Sequence, residues 1–180
     1  MMVTRTAAKL VALSAALGLA GCSTGRPAPP TPVVGSTPRV VRSIAVSPGE
    51  YVTAAASASL FAIRASDVIV AREGDTGLGQ FARRLQADHG GIGAQLSFAG
   101  RRLDLLPSAA LLPRHQAMLD DISASTEPSA AYVRHLKTVL PQVLALHRSY
   151  GRYGTSATLR PVAAMAAPLV QAEVDALRRY

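Results

Sequence analysis

The stretch that decides the fold is LGQFARRLQADHGGIGAQLSFAGRRL, which runs from Leu78 to Leu103. Its large apolar side chains recur at steps of three and four residues, a spacing that places them on one face of an α-helix. That face consists of Leu78, Phe81, Leu85, His89, Ile92, Leu96, Ala99 and Leu103. A histidine therefore lies within the apolar stripe, with Asp88 beside it. We expect this helix to pack in a helical bundle and to carry His89 at or near the core.

The composition of the whole chain supports an all-α domain. Of its 180 residues, 49% are hydrophobic, 17% are charged and 4% are aromatic, which is typical of a globular rather than a disordered chain. Abundant alanine favours helices, and the low aromatic content argues against many strands. The length is sufficient for one domain.

The first 21 residues have the layout of a secretory signal peptide. Arg5 and Lys9 precede an apolar run from Leu10 to Ala20, which is too short to span a bilayer. The run ends in Leu19-Ala20-Gly21-Cys22, which closely resembles the bacterial lipobox. This resemblance implies cleavage by the signal peptidase between Gly21 and Cys22, so that Cys22 begins the mature protein.

Cys22 is the only cysteine of the chain, so it forms no internal disulfide. The resemblance to the lipobox implies that its thiolate carries a diacylglyceryl group as a thioether. Two or three acyl chains anchor a protein to a membrane without crossing it. Because Ser23 rather than an aspartate follows, the resemblance further implies the outer membrane, facing the periplasm. The alternative is an ordinary signal peptide cleaved nearby, which leaves a free thiol.

Residues 22–46 are rich in proline, with five prolines between Pro27 and Pro38. Such a density favours an extended polyproline-type chain of about 3.1 Å per residue, so we interpret this segment as a tether. A proline-rich recognition motif is the alternative. The sequence therefore predicts a signal peptide over 1–21, a lipid-anchored tether over 22–46 and a helical bundle over 47–180.

Capping residues and prolines mark the predicted helices of the bundle. Ser47-Pro48-Gly49-Glu50 is a capping box with proline in the first turn, and the first helix ends at Gly74-Asp75. Asp75 or Thr76 caps the second helix. A short helix is expected between Leu111 and Ile122. Thr126-Glu127-Pro128 begins the third major helix, and the last runs from about Ser156 to Arg178.

Two interior prolines, a group of glycines, a histidine and a glutamate each lead to a specific prediction. Pro141 and Pro168 predict kinks in the last two helices. Gly90, Gly91 and Gly93 predict either a closely packed neighbouring helix or a bend. His115 is expected at the surface or at an edge. Glu173 falls on the apolar stripe of the last helix.

Five stretches occur in an order that resembles a known family: YVTAAASASLFAIRASDVIVAR at Tyr51, FARRLQADHGGIGAQL at Phe81, RHQAMLDDI at Arg114, AYVRHLKTVL at Ala131 and LRPVAAMAAPLV at Leu159. From Tyr51 to about Leu177 the chain resembles the bacterial domain of unknown function 4142, a ferritin-like four-helix bundle of exported proteins. The resemblance implies an all-α, ferritin-like four-helix bundle with a short extra helix in the crossover connection.

The family directs polar residues into the bundle: a glutamate from the first helix, an Asp-His pair from the second, and a histidine from each of the last two. Asp88-His89 keeps the pair, whereas the other positions fall on Ala62, Leu140 and Glu173. Alanine and leucine cannot ligate a metal, and a ferritin-like di-metal site draws ligands from all four helices. The resemblance therefore implies a degenerate site whose weak metal-ligand candidates are Asp88, His89 and Glu173.

Charge and missing motifs restrict the function further. Loss of Arg5 and Lys9 with the signal peptide lowers the formal net charge from +8 to +6. The arginines occur in scattered pairs, which indicates solvated helix faces or, alternatively, attraction to anionic lipid headgroups or another acidic surface. No nucleic-acid-binding motif, glycine-rich phosphate loop, CxxC pair or nucleophile elbow is present, so we expect neither an enzyme nor a nucleic-acid partner.

Two functions remain as hypotheses. The first is a non-catalytic cell-envelope lipoprotein, with no cofactor apart from the lipid on Cys22, whose bundle binds an envelope protein, a lipid or the cell wall. The second is a degenerate ferritin-like metal-binding protein that uses His89 and Glu173. For His89 we expect a core histidine hydrogen-bonded to Glu173; metal ligation and proton or partner chemistry are the alternatives.

Overall fold

A computed structural model describes residues 46–180; the predicted signal peptide, Cys22 and all but the last residue of the predicted tether lie outside the described residues. The described part contains five α-helices and no strand, which confirms the all-α class. The helices are α1 (Pro48–Glu73), α2 (Gly77–Arg101), α3 (Pro113–Ala124), α4 (Pro128–Tyr153) and α5 (Arg160–Leu177).

The predicted starts of α1 and α2 are confirmed by their capping contacts, whereas α5 begins at Arg160, a turn later than the predicted start at about Ser156. The Glu50 amide donates to the Ser47 hydroxyl at 3.2 Å, and the Ser47 amide donates to the Glu50 carboxylate at 2.8 Å. These two bonds satisfy backbone groups that the first turn leaves without partners. Thr76 caps α2 by accepting from the Gly79 amide at 3.1 Å. Gly74, between the two helices, has a φ of 55°, a conformation that glycine adopts at little cost.

The four long helices surround one core. α1 packs against α2 and α4, and α5 also packs against α2 and α4. Tyr51 in the first turn of α1 stacks on Tyr150 near the end of α4, whereas Glu73 at the end of α1 bonds Ser129 at the start of α4. α1 and α4 are therefore antiparallel, and the connection that contains α3 crosses the length of the bundle. α3 packs against α1 and α4.

Two ends of the bundle follow from this connectivity. The entry end holds the beginnings of α1 and α5 and the last turns of α2 and α4. The far end holds the last turns of α1 and α5 and the beginnings of α2 and α4. The chain enters the bundle at Ser47, on the entry end.

The predicted stripe of α2 forms a wall of the core. Its members from Phe81 to Ala99 are buried, and Leu78 and Leu103 at its ends are half-buried against the core. α1 contributes mainly alanine and serine to the same core. By length and composition α1 is also apolar enough to cross a membrane, but 56% of its apolar window is buried inside the bundle. Packing therefore accounts for its apolar character.

The structure corrects the expectation for the glycines of α2. The helix continues without interruption through Gly90, Gly91 and Gly93, and nothing lies within 4 Å of a Cβ built at any of them. The predicted close packing of another helix is wrong, because this face of α2 is turned away from the core. α4 and α5 continue as helices through Pro141 and Pro168, so neither proline breaks its helix, and the side chains of both prolines are exposed.

Candidate functional site

His89 and Glu173 meet inside the bundle, as the sequence predicts. His89 Nε2 lies 3.2 Å from Glu173 Oε2, and the two residues expose 0% and 2% of their surface. The contact lacks hydrogen-bond geometry, since this nitrogen and both carboxylate oxygens have no hydrogen-bond partner in the described part of the chain. The predicted contact is present, whereas the predicted hydrogen bond is not formed.

The hydrogen bond of His89 is made to Ser59 of α1 instead. His89 Nδ1 lies 3.1 Å from the Ser59 hydroxyl oxygen. Each ring nitrogen of His89 therefore faces a polar group, Nδ1 the Ser59 hydroxyl and Nε2 the Glu173 carboxylate. Ser59 escapes sequence reasoning because it stands in a run of alanines and serines whose only signal is small size.

A second buried histidine, His147 of α4, extends this polar region. Its Nδ1 lies 3.0 Å from the hydroxyl of Tyr51, and its Nε2 has no hydrogen-bond partner among residues 46–180. Burial, with a smaller contribution from the charge of His89, lowers the pKa of His147 to about 4. His147 is therefore neutral near pH 7. We name Tyr51, Ser59, His89, His147 and Glu173 the core polar cluster.

Tyr132 and Ser66 form a further buried hydrogen bond. The hydroxyl oxygens of the two residues lie 2.7 Å apart. Burial raises the pKa of Tyr132, the bond to Ser66 opposes this shift, and the negative charge of Glu173 adds to it. The tyrosine therefore stays protonated and serves as a neutral hydrogen-bonding group.

His115 is buried, with 1% of its surface exposed, so the expectation of a surface or edge position is wrong. Its Nδ1 lies 2.7 Å from the Ser57 hydroxyl, which also accepts from the Leu112 amide at 2.8 Å. Its ring stacks on Phe61 of α1. Burial, followed by the charge of Arg114, lowers the pKa of His115 to about 4. His115 thus holds the crossover connection against α1. Sequence periodicity does not show this contact, because it joins distant parts of the chain.

The third metal-ligand candidate, Asp88, is separated from the pair. It lines a groove of about 430 Å³ between α2 and α5 together with Gln95 and Met165, whereas His89 is fully buried in the core. Adjacent residues of a helix diverge by about 100°, so Asp88 and His89 do not both face inward.

The described residues do not fit a metal centre. No group of three or more histidine, cysteine, aspartate or glutamate side chains in this part of the chain is placed to hold a metal ion. At the positions implied by the family resemblance, Ala62 and Leu140 are fully buried apolar residues. Structural and catalytic zinc sites use three or four protein ligands, more than the His89–Glu173 pair supplies.

A family model described as a domain of unknown function, DUF4142, matches residues 37–179. The chain belongs to this family. The DUF4142 match covers all five helices of the bundle, including His89, Glu173 and His115. A search of the curated proteins finds no match, and a search of the solved structures finds none either.

Proposed function

We propose that this DUF4142 protein is a non-catalytic cell-envelope lipoprotein. In this proposal residues 1–21 are removed as a signal peptide, Cys22 carries the lipid, and the tether up to residue 46 holds the bundle at the outer membrane, facing the periplasm. The bundle is a binding or structural module for an envelope protein or the cell wall, and the covalent lipid is its only attached group.

The burial of the core polar cluster is the observation that supports a non-catalytic role. His89 and His147 are fully buried and Glu173 is 2% exposed. The surface grooves between the helices are lined by other residues. A catalytic acid, base or nucleophile has to reach its substrate, whereas a buried group at a helix contact stabilises one arrangement of the helices. This geometry supports a role in packing.

The lipid anchor is supported by the sequence Leu19-Ala20-Gly21-Cys22 and is tested by the processing of Cys22→Ala. We expect this variant to accumulate as unprocessed precursor and to take up no labelled fatty acid. Ser23→Ala, one residue later, is the matched control and should mature normally. Maturation of Cys22→Ala to a lipid-free product would refute the lipobox and favour an ordinary signal peptide.

The binding role is tested by affinity capture from envelope extracts with the anchored wild-type protein. We expect a defined envelope protein or cell-wall fragment to be retained. The matched bait is a surface variant, Asp88→Asn with Gln95→Ala, which alters the groove between α2 and α5. A partner that is lost with this variant assigns the binding to that groove. Retention of nothing above background by the wild type would contradict the binding role.

A ferritin-like metal-binding bundle is the second candidate, and one observation favours it. His89 Nε2, His147 Nε2 and both Glu173 oxygens are buried and lack hydrogen-bond partners among the described residues. The crossover that joins the α1–α2 and α4–α5 pairs is compatible with a ferritin-like connectivity. Two facing side chains are few ligands for a metal, so this candidate ranks second.

Metal analysis of the purified lipoprotein separates the two candidates. A stoichiometric metal that is lost in His89→Ala and in Glu173→Gln, and is retained in the exposed Asp175→Asn, would establish the second candidate. We expect no stoichiometric metal in the wild type or in any variant.

A further inference from the structure

Large exposed apolar side chains concentrate at the entry end of the bundle. Phe98 in the last turn of α2 is 55% exposed, Leu106 in the following loop is 66% exposed, and Tyr153 at the end of α4 is 67% exposed. Single exposed apolar residues are normal on a protein surface. Three on one end, from separate segments, make the entry end more apolar than the far end of the described bundle, where Tyr180 is exposed.

Arginines accompany these side chains. Arg102 lies over the ring of Phe98, with its guanidinium carbon 5.3 Å from the ring centre. Arg152 lies 5.9 Å from the ring centre of Tyr153 in the same way. Arg101 and Arg160, at the end of α2 and the start of α5, add two further positive charges to this end. Each of these two exposed aromatic rings of the entry end is thus paired with a guanidinium group.

The charges of the entry end are less balanced than those of the rest of the bundle. The ion pairs between arginine and aspartate within residues 46–180 lie toward the far end: Arg83 with Asp75, Arg134 with Asp121 and Arg178 with Asp175. The acidic residues at the entry end are Glu50 and Asp104, and Glu50 already accepts from the Ser47 amide within the capping box. The four arginines therefore leave this end with an excess of positive charge.

We propose that the entry end, formed by Phe98, Arg101, Arg102, Leu106, Arg152, Tyr153 and Arg160, docks on a bilayer that contains anionic phospholipid. Guanidinium groups bind phosphate in a bidentate manner, and exposed aromatic side chains such as Phe98 insert at the boundary between the headgroups and the acyl chains. The chain enters the bundle at this same end, so a tether to the membrane brings this surface to the lipid. The docking deepens the proposed function and relies on the lipid anchor for its high local concentration.

The absence of tryptophan from the chain allows a site-specific test. Phe98→Trp introduces one fluorophore on the proposed surface. Tyr180→Trp is the matched control, because Tyr180 is an exposed aromatic residue, 41% accessible, at the far end and next to two arginines. The full lipoprotein is reconstituted into vesicles of brominated phosphatidylcholine, with or without phosphatidylglycerol. Bromine quenches only a fluorophore that reaches the acyl chains.

We expect strong quenching of the Phe98→Trp protein in vesicles with phosphatidylglycerol, weaker quenching in vesicles without it, and weak quenching of the Tyr180→Trp protein in both. Salt should reduce the difference, because it screens the arginines. Adding Arg101→Gln and Arg160→Gln to the Phe98→Trp protein should lower the ratio of docked to undocked protein by about fivefold per arginine. The pair Arg178→Gln and Arg179→Gln at the far end is the control and should leave the quenching unchanged.

Equal quenching of the two fluorophores would overturn the docking surface. So would quenching of the Phe98→Trp protein that is insensitive to phosphatidylglycerol and salt, or protection of this end by an envelope protein instead of lipid. Flotation of the same samples with the vesicles reports on the anchor separately. A protein that floats with the vesicles without selective quenching retains the anchor and rejects the docking, whereas a protein that does not float rejects the anchor on which the docking rests.

Discussion

The His89 imidazole of α2 and the Glu173 carboxylate of α5 face each other inside the bundle, with 3.2 Å between Nε2 and Oε2. Ser59 of α1 holds the other ring nitrogen. Three helices are thus fixed against one another by one imidazole. Sliding any of them by a turn would leave a buried polar group against apolar side chains, which is costly. We therefore expect the pair to specify the alignment of the helices.

Replacement of Glu173 by alanine should lower the free energy of unfolding by about 1–3 kcal/mol, because the buried N–H of His89 loses the acceptor it faces. Glu173→Gln should cost less, since the amide oxygen keeps that position. Urea unfolding followed by circular dichroism measures both. Asp175→Ala, two residues further on an exposed part of the same helix, is the control and should have little effect. Unchanged stability of Glu173→Ala would contradict a structural role of the pair.

Stability should decrease as the pH falls from about 6.5 toward 4. Burial lowers the pKa of both His115 and His147 from 6.5 to about 4. Within this window the unfolded chain binds protons that the folded chain does not, so protonation favours unfolding. Each histidine contributes at most roughly 3 kcal/mol, present in full above pH 6.5. Hydrogen bonds from His135 and Arg134 lower the pKa of Asp121, so this carboxylate affects stability only in more acidic solution.

Urea titrations at a series of pH values measure this dependence. His147→Gln should flatten the slope between pH 6.5 and 4, because one of the two shifted groups is removed. His115→Asn should flatten it independently, so that either variant remains informative if the other does not fold. A wild-type stability that is constant across this window would contradict the neutral, buried state of both histidines.

Ser57→Ala should loosen the crossover connection. The Ser57 hydroxyl bonds both the His115 ring and the Leu112 amide, so its removal leaves two groups unsatisfied and should cost about 1–3 kcal/mol. Hydrogen exchange should become faster at the Leu112 amide and in α3, while α2 and α5 keep their protection. Ser123→Ala, whose hydroxyl bonds only the Leu119 carbonyl of its own helix, is the control. Equal exchange in the wild type and in Ser57→Ala would show that this contact does not hold the crossover.

Two glycines of α2 should respond to alanine in opposite directions. A Cβ at Gly91 meets nothing within 4 Å, so Gly91→Ala should raise stability by about 0.5–1 kcal/mol through helix propensity. A Cβ at Gly100 would collide with the backbone carbonyl of Leu105, so Gly100→Ala should lower stability. Thermal unfolding of both variants measures the contrast. A gain at both sites would show that the chain after α2 moves away easily.

The local signals of the sequence predicted most of the fold. The stripe of α2 predicted its buried face, and Ser47 and Thr76 marked the helix starts. The stripe of α2 also predicted that His89 faces inward, and the stripe of α5 directed Glu173 toward the same core; the two side chains meet, without the hydrogen bond that was predicted. His115 was beyond such reasoning, because its burial depends on how the crossover lies on α1. Gly91 was misjudged for the same reason, since periodicity defines a helix face but not what covers the opposite one.

The sequence by itself determined the class of the fold, the approximate positions of its helices and the face of α2 that meets the core, because helix periodicity and capping act over a few residues. The lipobox and tether remain predictions from the sequence, outside the described residues. Only the tertiary structure decided that Ser59 bonds His89, that His147 joins Tyr51, and that the arginines of three separate segments share one end. Those contacts join residues far apart in the chain, and the packing of whole helices sets their distances.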